Sequence, residues 1–156
     1  MRKISIIEAD LSSETHADAI MSLTNAYAQD PMGMNRPLKG NVKDRLIPEM
    51  RKFSGTLCFL AVRDEKAVGL ANCFYGFSTF EGKKLINIHD LAVIPSVRNQ
   101  GVGDALLAAV EQKAIAENCC KITLEVREDN RARKLYERFG FSYGEPKMLF
   151  MTKKII

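Results

Sequence analysis

Apolar residues recur along this chain at two periods, and their order lays out an alternation of strands and helices. From Arg2 to Glu8, Ile4 and Ile6 alternate with polar partners, which is the pattern of an opening strand. From His16 to Gln29, Ala19, Ile20, Leu23 and Tyr27 recur at helical spacing. Asp30-Pro31 ends that helix, because the residue before a proline resists the helical region. Pro31 to Asn41 reads as a loop and Val42 to Phe53 as a second, short helix. Thr56 to Arg63 and Ala67 to Phe77 form a hairpin across Asp64-Glu65-Lys66. Lys84 to Ile94 follows as a third strand, which Pro95 stops.

Gly101 to Glu117 is a helix with Leu106, Leu107, Val110 and Ala114 inward, and Lys121 to Arg127 is a strand. Asn130 to Phe139 carries Ala132, Leu135, Tyr136 and Phe139 on one helical stripe, closed by Gly140 at the C-terminal cap. Lys147 to Lys153 alternates as a closing strand, and its free edge fits a second copy, so a homodimer is expected. Consecutive hairpins imply an antiparallel half, and the β-α-β that follows implies a parallel pair. The expected result is a mixed α/β sheet with helices on its faces, in one domain spanning residues 1–156.

Composition narrows the function without naming it. With 46% hydrophobic and 27% charged residues, the 156-residue chain is ordinary globular material. The longest purely apolar stretch, Ala105–Val110, falls far short of the roughly 20 residues that span a bilayer. Met1-Arg2-Lys3 leads straight into the first strand without a signal-peptide pattern, so a cytoplasmic location is expected. The formal charge of +4 is mild and spread along the chain. The basic residues Arg127, Arg131, Arg133, Lys134 and Arg138 are interleaved with acids and read as a solvated helix face, not a nucleic-acid surface. Cys58, Cys73 and Cys119–Cys120 have no metal-ligand spacing, so reduced thiols and no metal are expected.

The chemistry concentrates in Leu91-Ala-Val-Ile-Pro-Ser-Val-Arg98-Asn99-Gln100-Gly101-Val102-Gly103. An apolar strand ends there, and Arg98, Gly101 and Gly103 open a helix. Free amides at a helix start, aided by the helix dipole, bind anions. Glycines let phosphate oxygens approach the backbone, and an arginine adds a permanent charge. A P-loop is absent, since G-x-x-x-x-G-K-[ST] occurs nowhere in the chain. A dinucleotide turn fits poorly, because Leu106 stands where the third glycine belongs and too little chain follows to complete a doubly wound sheet. Glycines that serve only helix packing remain an alternative.

The string Arg98-Asn-Gln-Gly101-Val-Gly103 resembles the [RQ]-x-x-G-x-[GA] motif of the GNAT superfamily of acetyl-CoA-dependent N-acetyltransferases. The preceding Leu91-Ala92-Val93 and the downstream Asn130-Arg-Ala-Arg-Lys-Leu-Tyr136-Glu-Arg-Phe-Gly-Phe141 match that family at the expected separation. The resemblance implies a mostly antiparallel sheet of roughly six to seven strands, splayed in the middle, with helices on both faces. It implies that Ile86 to Val93 pairs with the pantetheine arm of acetyl-CoA and that the amides from Arg98 to Asp104 hold its pyrophosphate. Asn130 would bond the pantetheine, and the Tyr136 hydroxyl would point at the sulfur. It implies an acyltransferase that acts on a small amine or a peptide; a non-catalytic acetyl-CoA sensor on the same fold is the alternative.

Transfer to an amine poses two proton problems. Holding a primary amine of pKa about 10.4 neutral at pH 7 costs about 4.6 kcal/mol, and the leaving thiolate must be stabilised. Tyr136, on the inward stripe, would donate to the thiolate; a core tyrosine bonded to a carbonyl is the other reading. Strict alternation along the strand puts Asn87, His89, Leu91 and Val93 on one face and Ile88, Asp90 and Ala92 on the other. His89 is either the base, as its intrinsic pKa suits, or a structural histidine. Asp90 either pairs with a cationic substrate or bonds backbone amides.

Overall fold

The computed structural model describes residues 3–156. Arg2, at the start of the expected first strand, lies outside the described residues. The elements follow in the order β1 (Ser5–Glu8), α1 (Glu14–Gln29), α2 (Gly40–Lys52), β2 (Thr56–Arg63), β3 (Lys66–Ser78), β4 (Lys83–Val93), α3 (Val102–Ala116), β5 (Ile122–Leu124) and α4 (Arg133–Arg138). A short 3-10 turn at Pro95–Val97 separates β4 from α3.

The strands lie in the order β1-β2-β3-β4-β5, antiparallel up to β4 and parallel between β4 and β5. Asp64 and Glu65 both take positive φ, 51° and 62°, which matches the twist that a two-residue hairpin turn demands. Ser13 caps α1 by accepting from the His16 N–H at 3.3 Å, and Gly140 follows α4 with φ 96°.

Two cores sandwich the sheet. On one face Ile86, Ile88, Leu106, Leu107 and Val110 pack beneath α3 and α4. On the other, Ile20, Leu23, Ile47, Met50, Leu60 and Leu70 pack beneath α1 and α2. Sealing such side chains contributes roughly 1.5–3 kcal/mol each. Cys58 and Cys73 are buried small hydrophobes within these layers, and the four cysteines are unpaired. Burial pushes the Cys58 thiol up to about 12, which leaves it inert.

Three expectations are corrected. Among the described residues the sheet has five strands instead of six to seven. Lys147 to Lys153 forms no strand; Met148, Leu149, Phe150 and Met151 stand exposed, because alternation alone supplies no partner edge. The homodimer expectation loses the edge on which it rested. The third correction lies in β4. Asn72 of β3 pairs with Asp90 and Cys73 pairs with Ile88, so His89 is the extra residue of a β-bulge. Alternation changes phase there. Ile86, Ile88, Leu91 and Val93 all join the α3–α4 core, while His89 and Asp90 lie on the α1–α2 side.

Candidate active site

β5 pairs with β4 only at Ile86, Ile88 and the residue between them; beyond Ile88 the strands part. The Ile94 amide donates back to Val68 of β3 at 3.0 Å. By strand alternation the Leu91 and Val93 amides therefore turn away from β3, toward the gap. A cavity of about 610 Å³ fills this gap. Leu91, Ala92 and Val93 form its floor, the start of α3 one wall and Asn130–Tyr136 the other. Tyr27, Asp30 and Met32, at the end of α1, close its near end.

Gly101 precedes α3 with φ 80°, a left-handed conformation that other residues adopt at a cost. Nothing lies within 4 Å of where its Cβ would stand, so the backbone is open to the cavity. Val102, Gly103 and Asp104 follow as the first helical residues, whose amides have no intrahelical acceptor. Gly103 serves packing: a Cβ there would come within 2.9 Å of the Leu135 side chain. The two glycines thus differ: Gly101 stands beside open space, and Gly103 is required by packing.

Arg98 does not reach freely toward that turn. Its Nε donates to the Val93 carbonyl at 3.0 Å, and Nη2 donates to Asp30 Oδ2 at 2.6 Å. The Met32 amide, then the Arg98 guanidinium, holds the Asp30 carboxyl below the usual carboxylate range. Arg127 donates to the Pro31 carbonyl at 3.3 Å, so the loop after α1 is pinned from both sides of the gap. Asn99 lines the cavity with φ 59°. Gln100 turns away, accepting from Arg63 and donating to Ser96.

Tyr136 is 9% exposed and lines the cavity. Its hydroxyl makes no hydrogen bond among the described residues and is not among the sealed, unsatisfied polar atoms. Burial, and secondarily Tyr27, raises its pKa to about 12. A second phenol, Tyr27, shares the cavity, its pKa raised by burial and by Asp90 and Asp30. Asn130 lines the same wall and accepts from the Ala132 amide at 2.9 Å, which leaves its amide nitrogen to the cavity.

Asn87, His89 and Asp90 lie off this cavity. Asn87 straps β4 to β5, donating to Thr123 Oγ1 at 3.0 Å and to Glu125 at 3.2 Å. The exposed His89 ring stands edge-on to Phe74 at 5.7 Å. Asp90 accepts from Asn72 Nδ2 at 3.0 Å, a side-chain donor and not a backbone amide.

Several site residues escaped the periodicity argument. Arg131, Lys134 and Arg138 are exposed, as a solvated face requires, and also line the rim of the cavity. Arg138 pairs with Asp104 across it at 3.0 Å, and the Arg131 charge helps hold the Asp30 carboxyl below its ordinary range. Lys134 and Arg138 stand four residues apart, a spacing legible in the chain that puts both on one face of α4. Tyr27 read only as part of the α1 stripe, and Asn72 only as part of a strand. No cluster of three metal-ligating side chains occurs, and no helix is long and apolar enough to cross a membrane, among the described residues.

Comparison with known proteins places this arrangement. A family model described as the Acetyltransferase (GNAT) family matches residues 20–141. An uncharacterized N-acetyltransferase, YhfO of Bacillus subtilis (strain 168), is 28% identical over 132 residues, covering 80% of this chain and 83% of that protein. The crystal structure of a probable acetyltransferase superposes with a TM-score of 0.82 at 21% identity, covering 96% of this chain and 97% of the other. The aminoglycoside N-acetyltransferase AAC(6')-Iy, solved in complex with CoA, superposes with a TM-score of 0.78 at 18% identity, over 100% of this chain and 97% of its own.

Proposed function

Since the chain belongs to the GNAT acetyltransferase family and is thus an acyltransferase, we propose that it moves the acetyl group of acetyl-CoA directly to a primary amine of a small molecule or peptide. Residues 1–156 act as one such domain. The observation that carries the reading is the Tyr136 hydroxyl, without a hydrogen bond among the described residues, on a side chain lining the gap that also receives the bare amides of α3.

The cavity fits the donor by its chemistry. The left-handed backbone at Gly101 and the amides of Val102, Gly103 and Asp104 suit a pyrophosphate, with Asn99 beside them. Leu91 and Val93 offer backbone groups to an amide-bearing arm along the β4 edge, with Ala92 between them, and Asn130 offers its side-chain amide from across the gap. Arg98 and Asp30 keep that edge in place. Bound there, acetyl-CoA supplies an acyl group activated as a thioester.

The protein's own groups then handle charge and protons. Tyr136, with its pKa near 12, stays protonated at neutral pH and is a hydrogen-bond donor for a sulfur anion. The Val93 amide is a donor for a carbonyl oxygen. His89 takes the amine proton from the acceptor side of β4, and Asp90 receives the acceptor's positive charge. Asn87 keeps β4 and β5 joined just where they diverge.

The test is release of free thiol from acetyl-CoA in the presence of an amine panel, with the N-acetyl product identified by mass spectrometry. Amine-dependent release supports transfer. Acetyl-CoA binding without release on any amine supports the sensor reading instead.

A further inference from the structure

We infer that the acceptor is a monocationic amine with a compact apolar body, bound on the α1–α2 face of β4, its ammonium on Asp90 and its body against Phe53, Phe74 and His89. This rests on the transfer reading and names its acceptor class.

The first observation is an unpaired carboxylate. Asp90 is partly buried, and no cation pairs with it among the described residues. A carboxylate withdrawn from water costs free energy unless it is partnered. Its partner here is the amide of Asn72, itself 3% exposed. Asn72 Nδ2 donates both to Asp90 Oδ2 at 3.0 Å and to Thr24 Oγ1 at 3.1 Å, while Cys58 donates to Asn72 Oδ1 at 3.3 Å. Every polar group of that amide is engaged, so it cannot turn its oxygen on Asp90. Asn72 is a positioning residue: it holds Asp90 as an acceptor, with one oxygen left for a ligand.

The second observation is the aromatic edge beside it. Phe53 and Phe74 meet edge-on at 5.5 Å, and Phe74 meets His89 at 5.7 Å. Phe53 is 57% exposed, although its ring could bury a large apolar area. The bulge in β4 brings His89 and Asp90 onto this same face, so an apolar wall ends at a negative charge. An ammonium held on Asp90 gains chiefly from the carboxylate's charge, while the adjoining rings cover the ligand's apolar body.

The pair also excludes. A ligand carboxylate next to its amine would meet Asp90, and a second ammonium would lie against rings without a counter-charge, because the other nearby carboxylate, Asp30, is bound by Arg98. Amino acids and diamines are therefore poor acceptors.

Calorimetry on the whole protein without acetyl-CoA tests this, using 2-phenylethylamine, its neutral isostere 2-phenylethanol, phenylalanine and putrescine. The amine should bind at least tenfold more tightly than each of the other three. In the transfer assay Asp90→Asn, which keeps side-chain volume, should raise the KM for 2-phenylethylamine at least tenfold, with kcat and acetyl-CoA affinity changed less than twofold. Asn72→Ser should raise the same KM and move kcat little, a split that general loosening of the fold would not give. Equal binding of the amine and the alcohol, tighter binding of putrescine, or an unchanged KM in Asp90→Asn overturns the inference while acetyl-CoA binding stands. Absence of acetyl-CoA binding overturns the transfer reading itself.

Discussion

Arg98 Nη2 lies 2.6 Å from Asp30 Oδ2, so the residue that opens the anion turn is fastened to the end of α1. The two side chains are 33% and 16% exposed, dry enough for the pair to matter. Asp30→Asn removes the charge and should cost about 1.5–3 kcal/mol, the range for hydrogen bonds to charged groups. The check is urea unfolding at neutral pH. An unchanged midpoint would mean that the pair contributes nothing.

Gly101→Val should nearly abolish acetyl-CoA binding in a folded protein. The φ of 80° at Gly101 is strained for any side chain, at roughly 1–2 kcal/mol, and a branched one would project into the open space above the turn. Circular dichroism monitors the fold and calorimetry the affinity. A folded variant that binds acetyl-CoA as wild type does would remove the phosphate role from this turn.

Most of the architecture was legible from periodicity, because β2, β3, α1 and α3 each bury a face that repeats at their own spacing. The bulge was not legible. It shows only in the pairing of β4 with β3, which no local spacing along β4 encodes, and it reverses which neighbours share a face. The final strand failed for the opposite reason: Lys147 to Lys153 alternates well but meets no partner. In the site, the glycine turn and Tyr136 could be read from the chain. Tyr27 could not, since a phenol on an inward helical stripe looks the same whether it meets core or cavity.

Acid should find out Glu117. Hydrogen bonds from Lys84, then Tyr75 and Lys113, hold its carboxyl at about 2 against an ordinary 4.5. A depressed carboxylate contributes stability above its unfolded pKa and loses it as pH falls through the folded one. Glu117→Gln should therefore be less stable than wild type at pH 6, with the difference shrinking between pH 4.5 and 2. Unfolding midpoints measured across that range would run parallel if the network were inert.

His89 is separable from Tyr136 by pH. If the imidazole takes the amine proton, His89→Gln should flatten the acidic limb of the kcat/KM profile and lose less activity at high pH, where more of the amine is already neutral. An unaltered profile would assign deprotonation to water.

Tyr136→Phe is the sharpest test of the proposed chemistry, because it deletes one oxygen that has no hydrogen-bond partner among the described residues. Turnover and acetyl-CoA affinity should be measured side by side on the same preparation. The kcat is expected to fall roughly 10²-fold or more, as is typical of general acid work, with acetyl-CoA affinity within about twofold of wild type. Unchanged turnover, or an equal loss of binding and turnover, would contradict it.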